Sequence, residues 1–389
     1  MAEQKSTTYG AKDIPVINPD IAMEVIQQAY ELRQPLILWG PPGAGKTSGV
    51  RSAADALRAR YGEPFLLKEV YLSRMTPADV GGLPALDSET KKTTFYLPDN
   101  LTDLKSSERG IIFFDELTTA DPQTRAAVLN LILEGRLGEF TLPKGWFCVA
   151  AANPKEFGGI YGDLGAAMNN RLMHYDVRPE FNQWVEAWAP ANNVSPAVMA
   201  FLRNGNDSHF MASAEEFRNN PKSFPTPRNW VRVGEIVERV ANPKTRDIMI
   251  DATIGLTASG FFKAWYRECE GMRPMVEYLE ASEDAAAIHK ILPRKIAGLY
   301  LIACSARAYV TNENPKRSEQ ALALLNAIYF AKESKEKGDS FNNAPTREIG
   351  VLGWEMAGTK ALAIKYPASK SQHFSRYNNH RVTDLKVLN

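Results

Sequence analysis

Pro35 to Trp39 (PLILW) is a compact apolar run that ends on a glycine, and the eight residues after it, Gly40-Pro41-Pro42-Gly43-Ala44-Gly45-Lys46-Thr47, fit the pattern G-x-x-x-x-G-K-[ST]. Beyond them, Val50, Ala53, Ala54, Leu57 and Tyr61 fall on one face of a helix running from Thr47 to Tyr61. A strand feeding a glycine-rich loop that opens a helix leaves few folds available. Glycines let the backbone wrap so that its N–H groups point inward at phosphate oxygens. The helix N-terminus adds a field that favours the anion. Lys46 is placed to reach the β- and γ-phosphates, and the Thr47 hydroxyl to ligate Mg²⁺. By residue frequencies the bare pattern arises by chance in about 1% of chains this long. The strand-loop-helix setting lowers that further, so a phosphate cradle is the reading taken over a plain Gly/Pro turn.

Further short apolar runs, Phe65 to Leu72, Ile111 to Phe114 and Trp146 to Ala152, alternate with helical stretches such as Thr124 to Leu133. That alternation predicts a parallel sheet covered on both faces. In Ile111-Ile112-Phe113-Phe114-Asp115-Glu116 four apolar residues run into two acids, 69 positions after Lys46. The C-terminal end of such a strand faces the ligand crevice. Asp115 can hold Mg²⁺ there through its water shell, and Glu116 can polarise an attacking water. With no Asn-Lys-x-Asp motif in the chain, the nucleotide expected is ATP rather than GTP.

After about Val177 the pattern becomes helical. Asn204 to Pro225 reads as a polar loop, and Thr226-Pro227-Arg228 as an N-cap with proline opening a helix through Val240. Helices are expected at about 245–270, 283–310, 316–334 and 345–365. The expected division is an α/β domain over 1–178, a small helical domain over 179–272 and a helical extension over 273–389 with a basic tail.

Composition narrows the class. Forty-six Lys and Arg against 45 Asp and Glu give a net charge of +1, with none of the basic excess of a nucleic-acid coat or membrane-surface protein. Cys148, Cys269 and Cys304 are far apart and lack metal-site spacing, which fits a reducing cytosol. The longest apolar run, Ile296 to Cys304, has nine residues, half of the roughly 18 needed to span a bilayer. It reads as a buried helix, and the location expected is cytoplasmic.

In combination these motifs resemble the AAA+ ATPases, specifically the MoxR-like branch, over roughly residues 15–270. The order of parts from Met75-Thr76-Pro77-Ala78-Asp79-Val80-Gly81-Gly82 through Asp121-Pro122-Gln123-Thr124 and Arg136 is similar to that branch. Ala151-Ala152-Asn153-Pro154 is similar to the sensor-1 segment, whose Asn would help Glu116 orient water. Ala166-Ala167-Met168-Asn169-Asn170-Arg171-Leu172 resembles the segment carrying the arginine finger, with Arg178 a second candidate. Ser223-Phe224-Pro225-Thr226-Pro227-Arg228 resembles sensor 2 at the start of a lid helix, with Arg232 one turn on as its fallback. Leu117-Thr118-Thr119-Ala120 departs from the family's usual Asn-Arg pair, and Asn169-Asn170-Arg171 from its Leu-Asp-Arg.

The resemblance implies an αβα sandwich with a helical lid and ATP hydrolysis with Mg²⁺. It also implies a homo-oligomeric ring, hexameric in the family, and a partner with a von Willebrand factor A domain. A finger from one subunit meeting a phosphate loop on the next is a heterologous contact, which closes into a ring. Glu89 to Leu97 and Gly138 to Gly145 look like the family's two inserted hairpins near the pore, with Phe95, Tyr96 and Phe140 as the candidate substrate-touching or subunit-touching groups. A second reading is a nucleic-acid motor or restriction-type translocase subunit. The tail supports it with Lys360, Lys365, Lys370, Arg376, Arg381 and Lys386 against Asp384, and Phe374 and Tyr377 interleaved. A third is a nucleotide-gated scaffold, against which Glu116, Asn153 and Arg171 argue.

Overall fold

The computed structural model describes residues 14–87, 92–96, 104, 107–137, 140–158, 164, 169–311, 313–331, 341, 345–357 and 371–387. They divide into two compact units, Met1–Pro179 and Glu180–Asn389.

The first unit holds a six-stranded, all-parallel sheet. Its strands are β1 (Val16–Ile17), β2 (Leu36–Trp39), β3 (Phe65–Tyr71), β6 (Arg109–Asp115), β9 (Gly145–Ala152) and β10 (Met173–Val177), in the spatial order β1-β10-β2-β9-β6-β3. Helices α1 (Pro19–Leu32), α2 (Lys46–Tyr61), α3 (Pro77–Gly81) and α4 (Pro122–Glu134) accompany it. Strands β2, β6 and β9 read as nearly unbroken apolar runs because each is buried on both faces. In β6, Ile111 and Phe113 join a core with Ile26, Val50 and Leu57 of α1 and α2. Ile112 and Phe114 join the opposite core with Val128 and Leu131 of α4.

Local chemistry sets the helix starts. The Asn18 side chain accepts from the Ile21 N–H at 2.9 Å ahead of Pro19. Asp121 accepts from the N–H groups of Gln123 and Thr124 ahead of Pro122, and α4 ends on Gly135 in the left-handed region. Leaving β2, the chain travels to the far edge at β3, returns through β6 and β9, and crosses to β10 on the other side of β2. The crevice at the carboxyl end of β2 lies at this change of direction, where open α/β sheets bind ligands. Two antiparallel ribbons are inserted: β4 (Leu83–Asp87) with β5 (Lys92–Tyr96), and β7 (Arg136–Leu137) with β8 (Phe140–Thr141). The expected hairpins thus occur, the first beginning earlier than residue 89. The side chains of Phe95, Tyr96 and Phe140 lie outside the described residues.

The second unit is helical throughout its described residues. Trp184, Phe201, Trp230, Phe262 and Trp265 centre one core, and Leu299, Ile302, Leu322, Leu325 and Trp354 a second. Helix Ile296–Ala306 serves both: Ala297 and Cys304 face the first, Leu299, Ile302 and Ala306 the second. This explains its apolar composition all round. It also corrects the expected division at residue 272, since the two helical stretches share that helix and group into one unit.

Three further expectations are corrected. The helix expected at 245–270 is two, Pro243–Ile254 and Leu256–Glu268, broken at Gly255 with φ 79°. The expected loop 204–225 contains a helix, Ala214–Asn219, started by a Ser213/Glu216 capping box. The 283–310 stretch is interrupted between Ile291 and Ile296, around Pro293.

In the C-terminal stretch, helix Gln372–Val387 is anchored rather than free. Tyr377 is buried and stacks on Trp354 at 5.0 Å between ring centroids, and Phe374 packs edge-on to the same indole. Of the two aromatics offered as base-stacking groups, Tyr377 is therefore a core residue and Phe374 is half-buried against the same core. Lys360, Lys365 and Lys370, and the side chains of Arg381 and Lys386, lie outside what is described. No helix among the described residues is long and apolar enough to cross a membrane.

Candidate nucleotide site

The loop Gly40–Gly45 follows β2 directly and hands over to α2 at Lys46. Two glycines are required by the packing. A Cβ on Gly40 would lie 2.5 Å from the Val177 carbonyl oxygen of β10. Gly45 has φ 96°, and its Cβ would lie 2.8 Å from Pro19. The loop is thus wedged between β10 and the start of α1. Gly45 gives α2 no side-chain cap, so the first amides of α2 are offered to a ligand rather than to a neighbouring side chain.

Lys46 is buried and folds back into the loop. Its Nζ donates to the carbonyl oxygens of Gly40 (2.7 Å) and Pro41 (3.1 Å) and to Asn153 Oδ1 (2.9 Å). Asn153 follows β9, which pairs with β2 in register Trp39 to Ala152, so the two strand ends deliver Lys46 and Asn153 to one point. Thr47 Oγ1 donates to Asp115 Oδ2 at 3.2 Å, and the Glu116 backbone N–H donates to Asp115 Oδ1 at 2.9 Å. The structure therefore brings Lys46, Thr47, Asp115 and Asn153 together across three strand ends, with Glu116 beside them.

Burial pushes the Asp115 carboxyl up from its ordinary value. The Lys46 charge, the Glu116 N–H and the Thr47 hydroxyl pull it down, and the neighbouring Glu116 charge adds to the rise. A desolvated carboxylate next to a threonine hydroxyl is a donor pair that a divalent cation suits, all-oxygen and hard. Among the described residues no group of three or more His, Cys, Asp or Glu side chains gathers. A cation there would thus take its remaining ligands from phosphate and water. Glu116 has φ 60°, left-handed for a non-glycine residue, as the chain turns out of β6.

Arg171 is placed elsewhere. It is exposed in a turn just before β10, whose first residue Met173 pairs with Leu36, the first of β2. That edge lies away from the loop by the length of β2, about 10 Å at the usual rise per strand residue. Arg178 follows β10 at the loop edge and is committed to Asp176, Nε to Oδ1 at 3.0 Å and a second bond at 3.1 Å. Ala166, Ala167 and Met168 lie outside the described residues. Arg228 belongs to the second unit, exposed in the first turn of helix Pro227–Arg239, where Arg232 donates to Asn229 Oδ1 at 3.3 Å.

Two contributors carry no sequence signal. Thr118 is fully buried and its hydroxyl donates to the Asn153 carbonyl at 3.2 Å, fixing that residue from the turn after the acids. Trp39, the last residue of β2, donates its indole N–H to His174 of β10 at 3.0 Å. Neither contact follows from spacing, because both partners are set by strand order.

Residues 35–169 match the model of the AAA domain, dynein-related subfamily. Over those residues the first unit is thus similar to an AAA domain, with a P-loop sequence at the carboxyl end of β2. The ATP-dependent protease ATP-binding subunit-like protein AmiB of Pseudomonas aeruginosa is 30% identical over 139 residues, 31% of this chain and 36% of that protein. The chain thus matches about a third of the length of that curated relative. Among solved structures, a mutant of Thermotoga maritima RuvB aligns over 77% of this chain and 85% of its own, with 14% identity and TM-score 0.37. Hsp104 solved with a nucleotide analogue and casein aligns over 68% of this chain and 46% of its own, with 13% identity and TM-score 0.35. At such low scores these two alignments carry no weight.

Proposed function

We propose that the chain is an ATP-driven remodelling machine of the MoxR-like kind, hydrolysing ATP with water to ADP and phosphate as a ring of identical subunits. The observation that carries this reading is the convergence of Lys46, Thr47, Asp115 and Asn153 at the carboxyl ends of β2, β6 and β9. Loop amides from Gly40 to Gly45 and the Lys46 ammonium would hold the phosphates. Thr47 and Asp115 would hold Mg²⁺, which on binding neutralises charge developing between the β- and γ-phosphates. Glu116 would take a hydrogen bond from the attacking water, with Asn153 fixing that water's position.

Phosphate oxygens entering the loop compete with the Gly40 and Pro41 carbonyls and with Asn153 for Lys46. Nucleotide would therefore release Asn153 towards the γ-phosphate. Arg171, exposed at the amino end of β10 and away from its own loop, would serve a neighbouring subunit's γ-phosphate, which makes the ring part of the mechanism. Arg228 is assigned to the sensor-2 position. The resemblance adds a von Willebrand factor A domain protein as partner, coupling hydrolysis to a change in a client protein. The burial of Tyr377, and the packing of half-buried Phe374 on Trp354, weigh against a nucleic-acid motor. The test is ATP turnover by the wild type, Lys46→Ala and Glu116→Gln. Both variants are expected to lose it, Glu116→Gln while still binding nucleotide, and unchanged turnover in both overturns the reading.

A further inference from the structure

Two side chains of the first unit, Trp39 and His174, join the strand that carries the phosphate loop to the turn that carries Arg171. Trp39 closes β2 immediately before Gly40 and is buried. Its indole Nε1 lies 3.0 Å from His174 Nδ1, with the two ring planes within 10° of parallel, as an in-plane hydrogen bond requires. An indole N–H can only donate, so Nδ1 is the acceptor and the neutral imidazole carries its proton on Nε2. That nitrogen faces the backbone carbonyl of Asn169 at 3.0 Å.

The same carbonyl accepts the Leu172 N–H, at 3.4 Å. Asn169 to Leu172 is thus a four-residue turn with Asn170 and Arg171, both exposed, at its tip. Its closing bond is long enough to be weak, whereas the bond from His174 has ordinary length. The far leg of the turn is fixed by the sheet: Leu172 is buried, and the Met173 N–H donates to the Pro35 carbonyl at 3.0 Å. On the near leg, the Asn169 carbonyl is held by His174.

We propose that His174 is a positioning residue that fixes the Arg171 turn and references it, through Trp39, to the strand bearing the phosphate loop. This rests on the reading of Arg171 as the arginine given to a neighbouring subunit. Such an arginine works only if its guanidinium meets charge developing on the next subunit's phosphate, and a displacement of 1 Å can cost about a hundredfold in rate. Asn169 itself is helical, and the turn carries the chain from it into β10. The bond to the Asn169 carbonyl comes from a side chain whose own ring is hydrogen-bonded to the sheet's central strand, which ties the start of the turn to that strand. The contact acts on Arg171 and not on the chain's own phosphates, so its loss belongs to the neighbour's active site.

The experiment uses the full chain and two substitutions that divide the bridge. In His174→Asn the amide oxygen can take the place of Nδ1 and accept from Trp39, but the side chain is too short to reach Asn169. In His174→Gln the amide nitrogen can take the place of Nε2 and keep the bond to Asn169. His174→Asn is expected to lose about 10- to 100-fold in kcat for ATP, with affinity for a fluorescent nucleotide within twofold, and His174→Gln to recover most of the rate.

The deciding measurement mixes subunits. His174→Asn keeps Glu116, and Glu116→Gln keeps an intact Arg171 turn, so a mixed ring regains turnover where the second precedes the first. Random equal mixing gives about a quarter of the wild-type rate. Arg171→Ala mixed with Glu116→Gln is the control for the underlying reading. If the control complements and His174→Asn is fully active, or is impaired without rescue by mixing, the positioning role is wrong. If the control fails to complement, the trans arginine is wrong and the proposal falls with it. Urea unfolding of both His174 variants separates a misplaced turn from a misfolded chain.

Discussion

Replacing Asp115 by Asn changes charge at almost constant shape, and the geometry says what should follow. Asp115 accepts twice, from Thr47 Oγ1 at 3.2 Å and from the Glu116 N–H at 2.9 Å. An Asn keeps an oxygen for the Glu116 N–H and turns its amide nitrogen to donate to Thr47 Oγ1. The roughly 1–3 kcal/mol that losing both bonds would cost is therefore not lost. Removing the charge has its own consequence. Burial raises the Asp115 pKa above its ordinary value. In chelator and without nucleotide, the folded chain then binds this proton more tightly than the unfolded chain does. Between the two pKa values the folded state holds more protons, so stability falls as pH rises, and the penalty is complete above the folded value.

At pH 8, urea unfolding of nucleotide-free D115N should show stability equal to or above that of the wild type, and the difference should close as pH falls below about 4, near the unfolded value. With MgATP at a hundred times its dissociation constant the wild type gains about 2.7 kcal/mol. That corresponds to about 5–10 °C in melting temperature for a unit of this size. D115N should show the same shift in MgATP as in ATP with chelator. Two results would refute the reasoning: a nucleotide-free D115N weaker by about 2 kcal/mol or more, which would mean the hydrogen bonds were not conserved, or a Mg²⁺-dependent shift like the wild type's.

Other consequences are structural. A Cβ on Gly145, the first residue of β9, would lie 2.0 Å from the Glu108 carbonyl oxygen, so G145A should cost about 3 kcal/mol or more in denaturant unfolding. Gly260 sits exposed within helix Leu256–Glu268 with nothing near its missing Cβ, so G260A should stabilise by about 0.5–1 kcal/mol in the same assay. Burial pushes the thiols of Cys148 and Cys304 up to about 12 and that of Cys269 up to about 11. A thiol-exchange reagent at pH 8 should react with none of them in the native protein and with all three in denaturant. A fast native reaction would place at least one at the surface.

How much of the fold could be read depended on how locally each part is determined. The loop from Gly40 to Thr47 announces itself because phosphate binding fixes residue types within eight consecutive positions. Asp115 and Glu116 were legible as acids ending a strand too apolar to be anything but buried. Strands β1 and β10 gave no comparable signal. Val16–Ile17 is two residues long, and β10 (MHYDV) is mixed in polarity, so its place beside β2 comes from its pairing with Leu36 to Trp39. The break at Gly255 was hidden because glycine is tolerated inside helices. What enforces the break is the Ser223 carbonyl oxygen, 2.6 Å from where its Cβ would be. The Ser213/Glu216 capping box, by contrast, was in plain view within a stretch whose polarity suggested a loop.

The aromatics of the C-terminal helix illustrate the other limit. Phe374 and Tyr377 among basic residues suggest bases to stack on, and only their packing on Trp354 shows Tyr377 to be core and Phe374 half-buried against it. By itself, then, the sequence determined the phosphate loop, the strand-ending acids and the alternation that makes a parallel sheet, because each is enforced by neighbours in the chain. Which strand ends meet was decided by the tertiary structure. Sheet order alone brings Asn153 to Lys46 across 107 positions and His174 to Trp39 across 135. These contacts depend on register, and strands such as β2 and β9, buried on both faces, lack the polar–apolar alternation that would mark it.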